Sequence, residues 1–148
     1  VFLVENRKQF KQLIKMAEIT KPSYNIIIQE CIEESHGKDL RVLVVNGKVV
    51  ACMMRQSVDG DFRANITRGG EGIPYQIDEK IEWLGGECSR LLNLDVAGVD
   101  LLFTKDGYSI CEVNSAPGFK GMDEYCKTNI AEQIVTFVKH KIGFDENN

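Results

Sequence analysis

Apolar residues recur along this chain in two rhythms, one helical and one extended. Phe10, Leu13, Ile14 and Ala17 fall at helical spacing, so residues 6–19 are predicted to form a helix with Asn6 as its N-cap. The preceding Val1-Phe2-Leu3-Val4 reads as a short strand. Lys21-Pro22-Ser23 breaks the helix, and Asn25-Ile26-Ile27-Ile28-Gln29 is a β-branched run of the kind buried on both faces of a sheet. Residues 30–38 are polar and turn-like. Residues 40–45 and 48–54 flank Asn46-Gly47, the dipeptide that most readily supplies the positive φ angles of a type I′ hairpin. With that loop, Val45 pairs with Lys48, Arg41 with Cys52 and Asp39 with Met54, and Asp39 and Arg41 share a face.

Residues 56–76 hold Asp59-Gly60-Asp61, Gly69-Gly70 and Gly72-Ile73-Pro74, too many breakers for a long regular element, and are predicted to be a loop of functional length. Asp78 is a suitable N-cap for a helix reaching about Leu92, with Ile81, Leu84, Cys88, Leu91 and Leu92 as its buried face and Gly85-Gly86 weakening its middle. Residues 95–103 and 108–114 form a second strand pair around Lys105-Asp106-Gly107, followed by a loop over 115–121. A last helix covers 129–141, with Ile130, Ile134, Phe137 and Val138 inward and Gly143 as its stop. Antiparallel strand pairs alternating with long helices predict an α+β layered fold, an antiparallel sheet with helices packed on it.

With 148 residues, 43% of them hydrophobic, the chain can bury a sizeable core. A net charge of −4 supplies no basic field for a phosphate backbone, so nucleic acid is not expected as a partner. No apolar stretch approaches the ~18 residues of a membrane span. The cysteines (Cys31, Cys52, Cys88, Cys111, Cys126) are five in number and lie far apart, without CxxC pairs. They read as reduced, buried thiols, consistent with a cytoplasmic location. The start at Val1, without Met or a basic leader, reads as that of an excised segment.

The sharpest chemical feature is Asp100 with Glu112-Val113-Asn114. Side chains two apart on a strand point the same way, so Glu112 and Asn114 share a face. A three-residue loop, Lys105-Asp106-Gly107, sets Asp100 opposite Glu112, whereas a two-residue loop, Asp106-Gly107, sets it opposite Val113 and turns it to the far face. A metal site therefore predicts the longer loop. Two carboxylates brought together repel unless a cation lies between them, and hard oxygen ligands suit magnesium or manganese. The placement of Asp100 in the apolar run Val96-Ala97-Gly98-Val99-Asp100-Leu101-Leu102, where a lone charge is costly, favours that reading over a solvated surface pair. A second cluster, Asp61-Phe62-Arg63-Ala64-Asn65-Ile66-Thr67-Arg68-Gly69-Gly70, offers guanidinium forks and loop N–H groups for a polyphosphate or carboxylate. A solvated polar loop would have the same composition. A third, Gln29-Glu30-Cys31-Ile32, is a strand end whose main chain could meet a purine edge. His36 and His140 are isolated and are assigned no ligand role.

Taken in order, Gln29-Glu30, Gly37-Lys38-Asp39-Leu40-Arg41, Gly60-Asp61-Phe62-Arg63-Ala64-Asn65, Arg68-Gly69-Gly70, Ala97-Gly98-Val99-Asp100 and Glu112-Val113-Asn114-Ser115-Ala116-Pro117-Gly118 resemble the RimK-like ATP-grasp ligases. The resemblance implies an ATP-grasp fold, with residues 1–29 as part of a lid subdomain and residues 30–148 as the C-terminal subdomain. It also implies ATP-dependent joining of a carboxylate to an amine through an acyl phosphate, such as addition of glutamate to a protein C-terminus or a small molecule. By the same likeness Glu30 and Cys31 line the adenine pocket, Asp39 contacts the nucleotide, and Arg63, Ala64 and Asn65 contact ATP, Arg63 with a catalytic role on its phosphates. Asp100, Glu112 and Asn114 match metal ligands for magnesium or manganese, with a pair of ions expected. Arg55 is expected to hold a substrate carboxylate. Cys31 stands where the family usually has an aromatic residue. The family's phosphate-binding lysine and glycine-rich lid have no counterpart here, so this chain by itself is expected to bind ATP weakly and to be inactive. It is also expected to pair into a homodimer through its first segment. The reading from a different class is a non-catalytic nucleotide- or metal-binding module or a structural interaction domain.

Overall fold

The computed structural model describes residues 1–20, 25–58, 60–64 and 70–144. They fall into two compact units, Val1–Cys31 and Ile32–Asn148. In the first unit the helix α1 (Arg7–Thr20) forms as its spacing predicts. Asn6 Oδ1 accepts from the N–H groups of Lys8 and Gln9 at 3.1 and 3.0 Å, which satisfies donors that the first helical turn leaves open. The strand expected over residues 1–4 does not form, and Val1 and Phe2 are exposed. Asn25-Ile26-Ile27-Ile28-Gln29 is likewise outside any strand, with Ile27 82% exposed. A β-branched run supplies only the propensity for a strand. A ladder also needs a neighbour, and the described residues pair none with it.

The second unit is built on one antiparallel sheet in the order β3-β2-β1-β4-β5, made of β1 (Lys38–Val45), β2 (Lys48–Gln56), β3 (Glu71–Pro74), β4 (Val96–Thr104) and β5 (Gly107–Asn114). The β1–β2 hairpin turns at Asn46-Gly47, both at positive φ (51° and 73°), as the sequence predicts. Strand β3 lies inside the stretch expected to be loop. Four residues opposite the end of β2 suffice to extend a sheet already in place, and Pro74 falls at the strand's last position.

One sheet face packs against α2 (Glu79–Leu91). Leu40, Val42, Val44, Cys52, Ala97, Val99 and Leu101 meet Ile81, Leu84 and Cys88 there. Asp78 caps α2, its Oδ1 accepting from Ile81 N–H at 2.7 Å. Leu91 and Leu92, expected on the buried face, are 69% and 54% exposed because the helix ends there, beyond the sheet contact. The opposite face is divided along the strands. At one end Leu43, Ala51 and Met53 pack against Met122 of α3 (Lys120–Cys126) and Ile130 of α4 (Ile130–Lys141). Helix α3 was not expected from the sequence. Of the inward face foreseen for α4, Ile130 is fully buried, Ile134 and Phe137 are half-buried and Val138 is exposed. Gly143 (φ 70°) follows the helix as its stop. The other end of this face is polar.

Candidate functional site

Two β-bulges decide which side chains share the polar end. The β1–β2 register begins Val45↔Lys48, Val44↔Val49 and then jumps to Leu43↔Ala51, so Val50 is an extra residue. Val49 faces α2. Without the extra residue Ala51, Met53 and Arg55 would face it too, and the bulge turns all three to the opposite face. Arg41 consequently pairs with Met53 and Asp39 with Arg55, one position beyond the pairing expected from the turn alone.

The β4–β5 hairpin repeats the device. Its loop is the two-residue Lys105-Asp106, with Thr104 paired to Gly107, and neither foreseen loop is the one formed. The register runs to Leu101↔Ile110 and then jumps to Asp100↔Glu112, Cys111 being the extra residue. The bulge supplies the shift that a longer loop had been needed for, and Asp100 lies opposite Glu112. Asn114 pairs with Gly98, one side-chain step along the same face.

On that face the acidic and basic groups interlock. Arg55 forks onto Asp39, Nε and Nη2 donating to Oδ1 and Oδ2 at 2.6 Å each, and Nη2 also donates to Asp100 Oδ2 at 2.9 Å. Arg41 Nη2 donates to the same Asp100 oxygen at 2.8 Å. Arg41 Nε lies 2.5 Å from Asp100 Oδ1 but not along a hydrogen-bond direction, so this fully buried oxygen accepts no hydrogen bond. The four side chains are 9–16% exposed, and two guanidinium charges balance two carboxylates. Burial works against the Arg55 cation, but the hydrogen bond and charge of Asp39, joined by Asp100, outweigh it and raise the Arg55 pKa. For Asp39, burial raises the pKa above its ordinary value and Arg55 offsets only part of that.

Gly98 makes room in this arrangement. A Cβ there would lie 2.7 Å from Pro117 Cβ and 3.6 Å from Arg41 Nη1, so only glycine lets the buried Pro117 and the guanidinium close over the strand. Pro117 is brought back by a turn in which Asn114 Oδ1 accepts from Ala116 N–H at 2.8 Å.

The structure thus brings Asp39, Arg55, Asp100, Glu112 and Asn114 to one face. Arg63 and Ala64 lie in a loop tied to the start of β1, where Gly37 N–H donates to Phe62 O at 3.0 Å. The Arg63 guanidinium is paired with Asp61, Nη2 2.5 Å from Oδ2, and lies over the Phe62 ring. Glu30 and Cys31 are exposed and belong to the first unit. Asn65, Arg68 and Gly69 lie outside the described residues. Arg41 was missed as a functional candidate, although a cation in the apolar strand Leu40-Arg41-Val42-Leu43, on the face of Asp39, was the signal for it. Among the described residues no group of three or more His, Cys, Asp or Glu is placed to hold a metal. The set here is two carboxylates and a carboxamide. It fits a hard cation in that Asp100 Oδ1 is a buried oxygen without a hydrogen bond, on a residue paired across the sheet with Glu112.

A family model for the RimK-like ATP-grasp domain matches residues 1–138, and the chain belongs to that family. A "Probable alpha-L-glutamate ligase" of Aeromonas salmonicida (strain A449) is 38% identical over 141 residues, 95% of this chain and 47% of the relative. Another of that name, from Rhodopirellula baltica, is 36% identical over 146 residues, 99% of this chain and 36% of the relative. The chain therefore spans less than half the length of these relatives. The fold is that of ATP-grasp ligases. A Chryseobacterium gregarium RiPP-associated ATP-grasp ligase, solved with ADP and a leader and core peptide, superposes with a TM-score of 0.61 at 24% identity over 76% of this chain and 35% of that one. D-alanine–D-alanine ligase from Bacillus anthracis, solved with ATP, gives 0.59 at 15% identity over 93% of this chain and 47% of that one. No described helix is long and apolar enough to cross a membrane.

Proposed function

We propose that this chain is the catalytic-face portion of an ATP-dependent carboxylate–amine ligase that adds glutamate or a similar amino acid to a carboxylate, a protein C-terminus or a small molecule, by way of an acyl phosphate. The observation that supports this most is the register that sets Asp100 opposite Glu112, next to Asp39 and Arg55, in a RimK-like ATP-grasp chain.

In this reading Asp100, Glu112 and Asn114 hold magnesium or manganese ions. When bound, these would offset the negative charge that builds up between phosphate oxygens during phosphoryl transfer. Arg63, with the Ala64-Asn65 main chain, binds the transferred phosphoryl group. Asp39 contacts the nucleotide, and Glu30 and Cys31 meet its base. Arg55 fixes the Asp39 and Asp100 carboxylates and turns its remaining donors to the substrate carboxylate. Residues 1–29 belong to a lid over the nucleotide and residues 30–148 to the C-terminal subdomain. The protein works in the cytoplasm, away from nucleic acid and membrane, and two copies pair through residues 1–29. This chain alone binds ATP weakly and turns nothing over.

The test is ADP release by the full-length protein given ATP, magnesium and glutamate with a carboxylate acceptor. Asp100→Asn and Glu112→Gln should each abolish it while leaving the circular dichroism spectrum intact. Nucleotide binding without ADP release under any amino-acid supply would favour the non-catalytic module instead.

A further inference from the structure

Arg41 has two kinds of donor. Nη2 donates to Asp100 at 2.8 Å and Nε lies against the other Asp100 oxygen at 2.5 Å. Nη1 reaches over Gly98, the residue opposite Asn114, and has no hydrogen-bond partner among the described residues. The guanidinium therefore lies along β4 from Asp100 to Gly98, two positions whose β5 partners are Glu112 and Asn114, beside the place where a cation on Asp100, Glu112 and Asn114 would sit. With Arg41 Nε 2.5 Å from the inner oxygen of Asp100, a divalent cation approaching that oxygen meets the guanidinium charge and is repelled until Arg41 moves away. The four interlocked groups are neutral, Asp39 and Asp100 against Arg41 and Arg55, and Glu112 opposite Asp100 adds a single negative charge, fewer than a divalent cation brings. A divalent cation entering it leaves a surplus of positive charge in a site shielded from water, which an oxyanion would offset.

We propose that Arg41 is a further functional residue of this site. It holds Asp100 while no cation is bound and passes to an oxyanion, a phosphate or carboxylate oxygen, when a divalent cation takes Asp100, so that cation and anion bind cooperatively. The proposal rests on Asp100 being a cation ligand, as read above. It adds an order to the binding events: the anion site is completed only after the cation arrives. Binding couplings of this kind are on the order of 5- to 150-fold.

The experiment is a manganese titration of the full-length protein, free Mn2+ being read by electron paramagnetic resonance, in three arms: no anion, inorganic phosphate, and glutamate. In the wild type, the effective anion should tighten Mn2+ binding by about fivefold or more, and the arm in which this happens identifies the anion as phosphate or carboxylate. Arg41→Gln should bind Mn2+ more tightly than wild type when no anion is present, because Asp100 has lost a competing partner, and should lose the anion effect. Arg41→Lys, which keeps the charge without the fork, should retain part of it. A merely structural Arg41 would give the reverse sign, with weaker Mn2+ binding in Arg41→Gln and an unchanged anion effect, and that result overturns the proposal. Asp100→Asn separates the two readings. Where it abolishes Mn2+ binding but Arg41→Gln leaves the coupling intact, only the role of Arg41 fails. Where the wild type binds no Mn2+, or Asp100→Asn binds it equally, the cation site fails and the role of Arg41 with it.

Discussion

At the scale of single residues the decisive magnitude is the cost of leaving a buried charge alone. Asp39 draws its hydrogen bonds from Arg55, and both side chains are about one-sixth exposed (16% and 15%). Arg55→Met should cost about 3–5 kcal/mol, read as a lower urea midpoint, because it strands the Asp39 carboxylate. The double variant Asp39→Leu/Arg55→Met should be more stable than Arg55→Met, since neither charge then needs compensation; a double variant less stable than the single would refute this account. Cys52 gives a pH prediction. Burial, the largest cause, pushes its thiol up to about 12. The unfolded chain therefore ionises it first, and the stability it contributes is fully present below the ordinary thiol pKa and is lost as pH rises toward 12. Native protein treated with iodoacetamide at pH 8 should be labelled at the exposed Cys31 and not at Cys52, as peptide mapping would show, whereas denatured protein should be labelled at both.

At the scale of elements, what could be read from the sequence and what could not divide cleanly. Caps and turns act over a few residues, so Asn6, Asp78 and Asn46-Gly47 announced α1, α2 and the first hairpin. Bulges have no local signature. Val50 and Cys111 look like ordinary strand residues, yet each reverses the parity of everything beyond it, which is why Arg55 was not foreseen as the partner of Asp39 and why Asp100 met Glu112 by another route than loop length. Strand β3 and helix α3 were invisible for a related reason: both are short and are held by contact with a sheet already formed, Gly72 lying so close to Tyr125 that a Cβ would come within 2.5 Å of its ring. Gly85, read as a weak point in α2, is instead a contact. A Cβ there would come 2.8 Å from Val49 Cγ2 and 3.1 Å from Val44 Cγ2, both on stiff β-branched side chains. Gly85→Ala would ordinarily stabilise a helix by about 1 kcal/mol. Here overpacking, at about 1–3 kcal/mol, should outweigh that and lower the melting temperature. A higher melting temperature would mean that α2 can lift off the sheet at no cost.

At the scale of the whole molecule, the two units differ in what holds them. Every buried hydrophobic side chain among the described residues lies between Leu40 and Ile130, whereas α1 buries none. A helix of 14 residues that fully buries no side chain is marginal in water, because propensity alone barely offsets the cost of nucleating it. Amides of α1 should therefore exchange with deuterium by local opening, orders of magnitude faster than those of β1 and β4, whose opening requires the whole sheet to come apart. Peptides from residues 7–20 should be fully exchanged by mass spectrometry while those containing Val42 or Val99 remain protected. Nucleotide gives this measurement a functional edge. If residues 1–29 cover ATP as proposed, adding ATP and magnesium to the full-length protein should slow exchange in α1 and leave β1 and β4, already near the global limit, little changed. Equal protection of α1 and β1 without nucleotide would show that the apolar stripe of Phe10, Leu13 and Ile14 is packed in solution, and the assignment of this segment as a mobile cover would then be wrong.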